Sequence, residues 1–241
     1  MSIITYFKRC ERIFIVYKII FELSSPICFI DKPLFDGLIT YCYIKDKLGF
    51  VPRKINFSAE EIEQFNKEFE LSKIPLKKHK DNYFLASYMQ YDEEKAINFT
   101  SSWKKRWANK YDFLADFGKS KRAIEIDKGA FKSYDIPLNL YNLDSVWFFF
   151  DSDNVKEVEN LIKKHLYGLG KKTSQGYGEI KNIELESINY DPFENIIRPV
   201  PLPKNITDFE KTTLMMENKL LICRYQPPYW SMVNSELCRI G

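Results

Sequence analysis

Four of the nine glycines in this 241-residue chain fall within one run of eleven residues, between a helical pattern and a strand pattern. The run contains Gly168, Gly170, Lys171, Lys172, Gly176 and Gly178. Glycine adopts positive φ angles and, because it has no Cβ atom, lets backbone N–H groups approach a phosphate closely. Motifs that bind dinucleotides or the phosphates of ATP have the opposite order, strand before the glycine turn and helix after it. The order found here excludes both.

The remaining side chains of this glycine run add hydrogen-bonding and aromatic groups. Ser174 offers a hydroxyl, Gln175 an amide and Tyr177 a ring. Backbone amides, cations, polar side chains and rings are the groups by which proteins bind RNA. The alternative is a tight helix-to-strand turn with lysines in water. Four glycines exceed what one turn needs, which favours the RNA-binding interpretation.

Composition restricts the class of protein without identifying a ligand. Apolar residues make up 45% and charged residues 29% of the chain, which is typical of a globular protein and excludes disorder. Since the net charge is only +3, binding of nucleic acid requires local basic patches.

Cysteine spacing and the N-terminal sequence bear on cofactors and location. The five cysteines are widely spaced and include no C-x-x-C pair, so they predict reduced thiols, and no metal-ligand spacing is present. The longest apolar run near the N-terminus, residues 13–17, is too short for a signal sequence or a membrane span. We expect a cytoplasmic protein with no metal, no cofactor and no membrane contact.

The order of predicted elements indicates an α+β fold. Strands are predicted at 12–23, 83–91, 146–150 and 179–188, and helices at 31–49, from 58 onward and at 154–166. Asp31 and Asn154 are predicted N-caps, and a change of phase near Asn182 predicts a β-bulge. With the helix from residue 58 treated as an insertion, the remainder is a ferredoxin-like (RRM-like) βαββαβ core. The glycine run then lies directly before the last core strand.

We divide the chain at residue 191. Residues 1–191 form the predicted ferredoxin-like domain, with a basic insertion at about 92–140. Residues 192–241 contain six of the eleven prolines, so we expect an extended Pro-rich C-terminal tail that wraps the core. Within this tail, the pattern over residues 214–225 predicts a hairpin that turns at Glu217 and Asn218.

A second candidate RNA-binding segment spans residues 101–134. It has nine Lys or Arg residues against four acidic ones, with aromatic residues between the cations. The candidate RNA contacts are Trp103, Lys104, Lys105, Arg106, Trp107, Lys132 and Tyr134. A basic groove with aromatic platforms binds single-stranded nucleic acid, and each stacked base contributes roughly 1–3 kcal/mol. The alternative is a solvated basic face with two buried tryptophans.

Two smaller features have open interpretations. The segment 227–230 ends in Tyr229 and Trp230, which either bind a partner or pack the tail on the core. The two histidines, His79 and His165, are each a candidate general base, because histidine most often serves that role near neutral pH.

Taken in order, these motifs resemble the repeat-associated mysterious protein (RAMP) superfamily of CRISPR-associated proteins, which places such a glycine-rich loop before its last core strand. Within it, several segments resemble the type IV effector subunit that occupies the place of the fifth Cas family. They are residues 21–26 with 34–38, residues 129–137, the glycine run, and residues 227–230. The similarity covers most of residues 17–241.

This resemblance implies a non-catalytic subunit that grips the 5′ handle of a guide RNA and caps a filament of backbone subunits beside a large subunit. It also allows a contribution to reading the short motif beside the DNA target. Carried onto this chain, the handle would be held by Gly168, Gly170, Lys171, Lys172, Ser174, Gln175, Gly176 and Tyr177. Lys132 and Tyr134 would lie near it.

A related enzyme is the main alternative. A metal-independent endoribonuclease that processes precursor guide RNA has the same core and glycine loop, but it needs a general base near the 2′-OH. Such relatives usually draw a histidine from the region of the first helix, which here offers Tyr41, Tyr43 and Lys45 instead. A plain RRM-like RNA-binding protein is a third reading, and the chain lacks its aromatic signature.

Overall fold

The computed structural model describes residues 16–49, 60, 73–79, 83–106, 132–195, 198–202, 206–217, 219–227, 229 and 235–240. Its strands are β1 (Val16–Leu23), β2 (Ile27–Cys28), β3 (Ile97–Lys105), β4 (Tyr134–Asn142), β5 (Ser145–Phe150), β6 (Ile180–Ile188), β7 (Val200–Pro201), β8 (Leu220–Arg224) and β9 (Ser235–Arg239). Its helices are α1 (Phe35–Leu48), α2 (Val155–His165) and α3 (Asp208–Met216). The fold is therefore α+β. The helix predicted from residue 58 lies almost entirely outside the described residues.

The core lies between α1, α2 and one antiparallel sheet in the order β5-β1-β6. Alternate residues of β1 and β5 face the helices, because side chains alternate across a strand. The fully buried side chains there include Ile19, Phe21, Phe148, Phe150, Phe35, Ile39 and Ile162. The ring of Phe35 lies 4.7 Å from that of Phe150, so the start of α1 packs directly on β5.

The predicted bulge in the last strand is confirmed. Glu22 pairs with Asn182, whereas the next residue, Leu23, pairs with Ile180, so Lys181 is the additional residue. A bulge bends the strand and increases its twist. It does so just after the glycine run, where the chain enters β6.

The strand predicted at residues 83–91 is wrong in detail. The segment runs along β5 but forms only isolated bridges, Ala86 with Phe150 and Gln90 with Trp147. Between them the Ser87 hydroxyl oxygen accepts a hydrogen bond from the Phe149 N–H at 2.8 Å. A side chain thus takes the place of a backbone acceptor, and the ladder is interrupted.

One helix begins as predicted and the other does not. The Asn154 side chain accepts a hydrogen bond from the Glu157 N–H at 3.2 Å, which confirms the predicted N-cap of α2. The first helix starts at Phe35 rather than near Asp31, because Leu34 still bridges to Tyr88 in extended conformation. The predicted cap at Asp31 is therefore wrong.

The predicted insertion contains a sheet that its sequence pattern did not indicate. Strands β3 and β4 pair over their full length, and β2 pairs with β4 to give the order β2-β4-β3. Pro137 lies inside β4, opposite Ser102. A proline is tolerated there because β2 pairs only with Tyr141 and Leu140, so that edge of β4 carries no β2 partner at Pro137.

The hairpin predicted at residues 214–225 is wrong. Leu214 to Met216 complete α3, and β8 pairs instead with β9 in a third sheet of order β7-β9-β8. A full capping box between Thr207 and Glu210 starts α3 and thereby removes residues 214–216 from the hairpin.

Two observations bear on the expectations from composition. Among the described residues, no helix is long and apolar enough to cross a membrane. The cysteines that the structure describes, Cys28, Cys42, Cys223 and Cys238, are free thiols.

Candidate nucleic-acid interface

The glycine run connects α2 to β6 and is fixed at its base to β2. Leu169 is fully buried, and its N–H donates to the Gly178 carbonyl at 2.8 Å. The Gly178 N–H in turn donates to the Pro26 carbonyl at 2.9 Å, and the Lys171 N–H donates to the Cys28 carbonyl at 2.6 Å. These hydrogen bonds hold both ends of the loop against β2 and the residue before it.

Two of the four glycines are needed for this close packing. Gly170 and Gly178 have φ angles of +83° and +64°. A Cβ atom would lie 2.4 Å from the Cys28 carbonyl oxygen at Gly170, and 2.0 Å from the Leu169 carbonyl oxygen at Gly178. Gly176, at φ +86°, has no atom within 4 Å of such a Cβ among the described residues. The interpretation as a tight turn accounts for Gly170 and Gly178, but the described residues give no packing reason for Gly176.

Residues 171–176 form the loop tip. Lys172 adopts a left-handed conformation with φ +63°, and a single 3₁₀ turn, Thr173–Gln175, follows it. The side of the loop tip toward solvent carries four of the predicted RNA-binding residues, all exposed: Lys171, Ser174, Gln175 and Gly176. A non-glycine residue with positive φ is uncommon, and such backbone strain concentrates at functional sites.

The loop tip meets the β3–β4 ladder at Trp103. The Lys172 Nζ atom lies 3.1 Å from the centre of the Trp103 ring. The ring of Tyr134 meets the Trp103 ring edge to face, with 5.0 Å between centroids. Tyr177 packs half-buried against the cluster of Cys28, Leu138 and Leu140. Trp103, Tyr134, Lys172 and Tyr177, four residues predicted from two distant segments, thus join the loop tip to the Trp103 side of the β3–β4 ladder. We call the loop tip and this side of the ladder together the loop–ladder surface.

The other predicted residues of the basic segment are distributed differently. Lys105 lies opposite Tyr134 in the register, on the Trp103 side of the ladder. Lys104 lies on the other side, in an ion pair with Asp135 at 3.3 Å. Arg106 and Lys132 are exposed where the two strands meet the connecting segment, and Trp107 lies outside the described residues.

The Trp103 side of the ladder also carries exposed apolar residues that were not predicted. Phe99 and Ile136 are 43% and 42% exposed, and Ile136 lies directly opposite Trp103. Both are on the Trp103 side, since alternate residues of a strand share a face. The alternate spacing of Phe99 and Trp103 along β3 could have predicted this apolar face, but polar residues on both faces of β3 obscured the pattern.

Tyr229 is tied to the interior by its hydroxyl. This group lies 2.7 Å from each carboxylate oxygen of Asp36, and its ring lies against Gly37 in α1. Burial raises the pKa of Tyr229 well above its ordinary value. Packing of the C-terminal tail on α1 accounts for the position of this hydroxyl group. Binding of a partner by Tyr229 stays a prediction. Trp230 lies outside the described residues.

The histidines occupy different surroundings. His79 stacks on Tyr83 with 4.7 Å between ring centroids. His165, at the end of α2, has its Nε2 atom 2.9 Å from the Asp46 Oδ1 atom of α1, which Lys164 also contacts at 2.6 Å. Hydrogen bonds from Lys164 and His165 lower the pKa of Asp46 to about 2. In the part of the chain that the structure describes, no group of three or more His, Cys, Asp or Glu residues could hold a metal ion.

Comparison with known protein families identifies a family for this chain. Residues 16–240 match the family described as CRISPR type IV associated protein Csf3. No curated protein matches the chain. The matched range includes the glycine run and the β3–β4 ladder, and it agrees with the resemblance to type IV CRISPR subunits. The chain therefore belongs to the Csf3 family of CRISPR type IV associated proteins.

Proposed function

We propose that this protein is a non-catalytic RNA-binding subunit of a type IV CRISPR effector ribonucleoprotein and that it grips the 5′ handle of the guide RNA. Membership of a type IV CRISPR family implies a complex with other subunits. The contact of Lys172 with the Trp103 ring carries the proposal. It joins the loop tip and the β3–β4 ladder into one surface that has cations, rings and exposed backbone.

Each part of the loop–ladder surface has a task in such binding. Lys171 and Lys172 neutralise phosphates, and Ser174 and Gln175 hydrogen-bond to base edges or to 2′-hydroxyls. Bases stack on rings of the ladder, of which Phe99 is the most exposed apolar example. Lys105, Arg106 and Lys132 extend the positive charge along the ladder.

The β5-β1-β6 sheet, which we call the main sheet, carries a charge that favours RNA binding at the loop–ladder surface rather than on the sheet. An RRM-like protein binds RNA on the open face of its sheet. Here that face carries Glu22, Glu184 and Glu186 on β1 and β6, and Lys18 is already paired with Glu186 at 3.0 Å. Glu22 is likewise paired with Lys181 at 3.7 Å, so the described residues of this face give it no excess of positive charge to attract phosphates, which disfavours the plain RRM-like alternative.

We take residues 83–91 as an additional, irregular strand at the β5 edge of the main sheet. In chain order, the strands of the predicted core are β1, residues 83–91, β5 and β6. Across the sheet they then lie in the order second, third, first and fourth. Bridges from Ala86 and Gln90 to β5 support this arrangement. On this basis we propose a ferredoxin-like core for residues 1–191, with 192–241 as an extension.

Protein partners are the second part of the proposal. We propose that the subunit caps a filament of backbone subunits, contacts the large subunit and takes part in reading the target-adjacent motif in DNA, all in the cytoplasm. Large exposed apolar side chains in the C-terminal region support protein contacts: Phe209, Met215, Met216, Leu221 and Ile222.

Salt dependence of guide binding tests the RNA-binding role. A variant with Lys171→Ala and Lys172→Ala should bind repeat-derived RNA more weakly, and the slope of log K against log salt should fall by up to about 1.4, roughly 0.7 for each lost phosphate contact. The matched control replaces Lys211 and Lys219 of the C-terminal region and should leave the slope unchanged. A slope unaffected by the loop variant would mean that these lysines do not contact phosphate.

The endoribonuclease remains the second candidate, and one observation favours it. The His165–Asp46 pair brings a histidine from α2 to α1, the helix that lacks one. Incubation with repeat RNA in the absence of metal decides between the two. We expect intact RNA, whereas cleavage that is abolished by His79→Ala or His165→Ala would overturn the non-catalytic assignment.

A further inference from the structure

A second group of rings and cations lies beside the glycine run, on α1 and just after the end of α2. Tyr41 and Tyr167 are 40% and 71% exposed. The Nζ atom of Lys45 lies 5.6 Å from the centre of each of these two rings. We call this group the Tyr–Lys surface.

The Tyr–Lys surface is held by both helices. The Tyr167 hydroxyl donates to the Lys164 carbonyl at 2.9 Å, and the Lys45 ammonium reaches the His165 carbonyl at 3.5 Å. The nearby Asp46 carboxylate is engaged by Lys164 and His165, so its negative charge is compensated. An arrangement of this kind presents rings and a cation with little conformational entropy left to lose on binding.

A helix-dipole explanation covers only part of this surface. Cations near the last carbonyls of a helix stabilise it, which accounts for Lys45 and Lys164. It does not account for a tyrosine ring that is 71% exposed directly before the first glycine of the run. Exposed rings next to cations are what single-stranded nucleic acid stacks on.

We propose that the Tyr–Lys surface binds guide-RNA nucleotides that adjoin those held by the loop tip. This inference rests on the proposed function. Tyr167 immediately precedes Gly168, so the two surfaces are joined by the glycine run itself. A base stacks on the Tyr167 ring, and Lys45 contacts the adjoining phosphate. The cation between the rings favours RNA over a protein partner.

Binding of two kinds of RNA by the full-length protein tests this inference. One probe is a short RNA with the handle sequence, and the others are the same RNA extended with uridines at its 5′ or 3′ end. Replacing Tyr41 and Tyr167 together with Leu should leave affinity for the short probe unchanged. It should remove the affinity gained from one of the extensions, by about 5- to 150-fold, the range for one lost stacked base. Tyr190→Leu, at a ring that is 58% exposed just after β6, is the control.

The outcomes separate this inference from the proposed function. If the Lys171 and Lys172 variant weakens binding of every probe while the tyrosine variant changes none, the loop binds RNA and the Tyr–Lys surface does not. If the tyrosine variant keeps full RNA affinity but no longer co-purifies with another subunit, the surface is a protein interface and the inference is wrong. If the unmodified protein binds none of the probes, the proposed function fails, and this inference fails with it.

Discussion

The ammonium of Lys172 lies 3.1 Å from the centre of the Trp103 indole ring, across the boundary between the loop tip and the β3–β4 ladder. A cation over the face of tryptophan contributes about 0.5–1 kcal/mol at an exposed site. This contact fixes the direction of the Lys172 side chain, and the backbone of Lys172 lies in the left-handed region. The orientation of the loop tip therefore depends on a residue far away in the sequence.

Under the proposed function, replacing Trp103 with Leu should weaken guide-RNA binding by about 1–3 kcal/mol, because it removes a ring on which a base would stack and releases Lys172. Fluorescence anisotropy with labelled repeat RNA measures the change. Trp147→Leu is the matched control, since Trp147 also lies beneath a lysine, with the Lys18 Nζ atom 5.4 Å from its ring centre, but on the main sheet. Equal losses from the two variants would indicate a general loss of stability rather than a contact with RNA.

Features fixed by neighbouring residues could be predicted from the sequence, and features fixed by distant contacts could not. The N-cap at Asn154 depends on Glu157, three residues away, and the bulge near Asn182 leaves a break in the alternation of its own strand. By contrast, β3 has polar residues on both faces, and its strand character comes from pairing with β4 across a long connection.

The same limit applies to the candidate site. The sequence predicted that the glycine run and the basic aromatic segment each bind RNA, but not that Lys172 and Trp103 are in contact. Nor could it distinguish Gly178, which packs against the Leu169 carbonyl, from Gly176, where no described residue lies within 4 Å of an added Cβ atom. Both positions are glycine in the sequence, and their roles differ only because of the backbone that surrounds them.

That difference predicts unequal effects of two alanine substitutions. Gly176→Ala should lower the free energy of unfolding by about 1–2 kcal/mol, the cost of a left-handed conformation for a residue with a Cβ atom. Gly178→Ala adds overpacking against a buried backbone oxygen and should lower it by about 2–5 kcal/mol. Denaturant titration of both variants measures the two values. Equal values would mean that the packing of Gly178 against Leu169 does not restrict the loop.

Acid should weaken the contact between α1 and α2. The pKa of Asp46 is about 2, below its ordinary value of 3.8, because Lys164 and His165 donate hydrogen bonds to its carboxylate. A carboxyl group with a lowered pKa in the folded state stabilises the fold above its unfolded pKa, and this contribution is lost as the pH falls toward 2. Asp46→Asn should therefore flatten the decrease in unfolding free energy between about pH 4 and pH 2.

The measurement for Asp46 is the denaturant midpoint across that pH range. Asp31→Asn, at an exposed position before α1, serves as the control and should leave the slope as it is in the unmodified protein. If the unfolding free energy of Asp46→Asn and of the unmodified protein decreases equally between pH 4 and pH 2, the hydrogen bonds from Lys164 and His165 do not stabilise the charged carboxylate.

A buried ion pair joins the C-terminal region to α1. Arg198 is 2% exposed and Asp36 fully buried, with 3.2 Å between the Arg198 Nη1 and Asp36 Oδ2 atoms. The guanidinium also donates to the carbonyl oxygens of Phe84, Ala86 and Tyr225. One side chain thus connects α1, the irregular segment beside β5 and the residue that follows β8. Burial raises the pKa of Asp36, and the charge of Arg198 opposes that effect.

Arg198→Met should lower the free energy of unfolding by about 3–5 kcal/mol, because it leaves the Asp36 carboxylate buried without its cation and several carbonyls without a donor. Adding Asp36→Asn to this variant should recover part of the loss, since the uncompensated charge is then removed. Arg239→Met, at an exposed position of β9, should change the value by no more than about 0.5 kcal/mol. Denaturant unfolding of the three variants provides the comparison. A loss at Arg198 no larger than that at Arg239 would show that the ion pair does not hold the C-terminal region on the core.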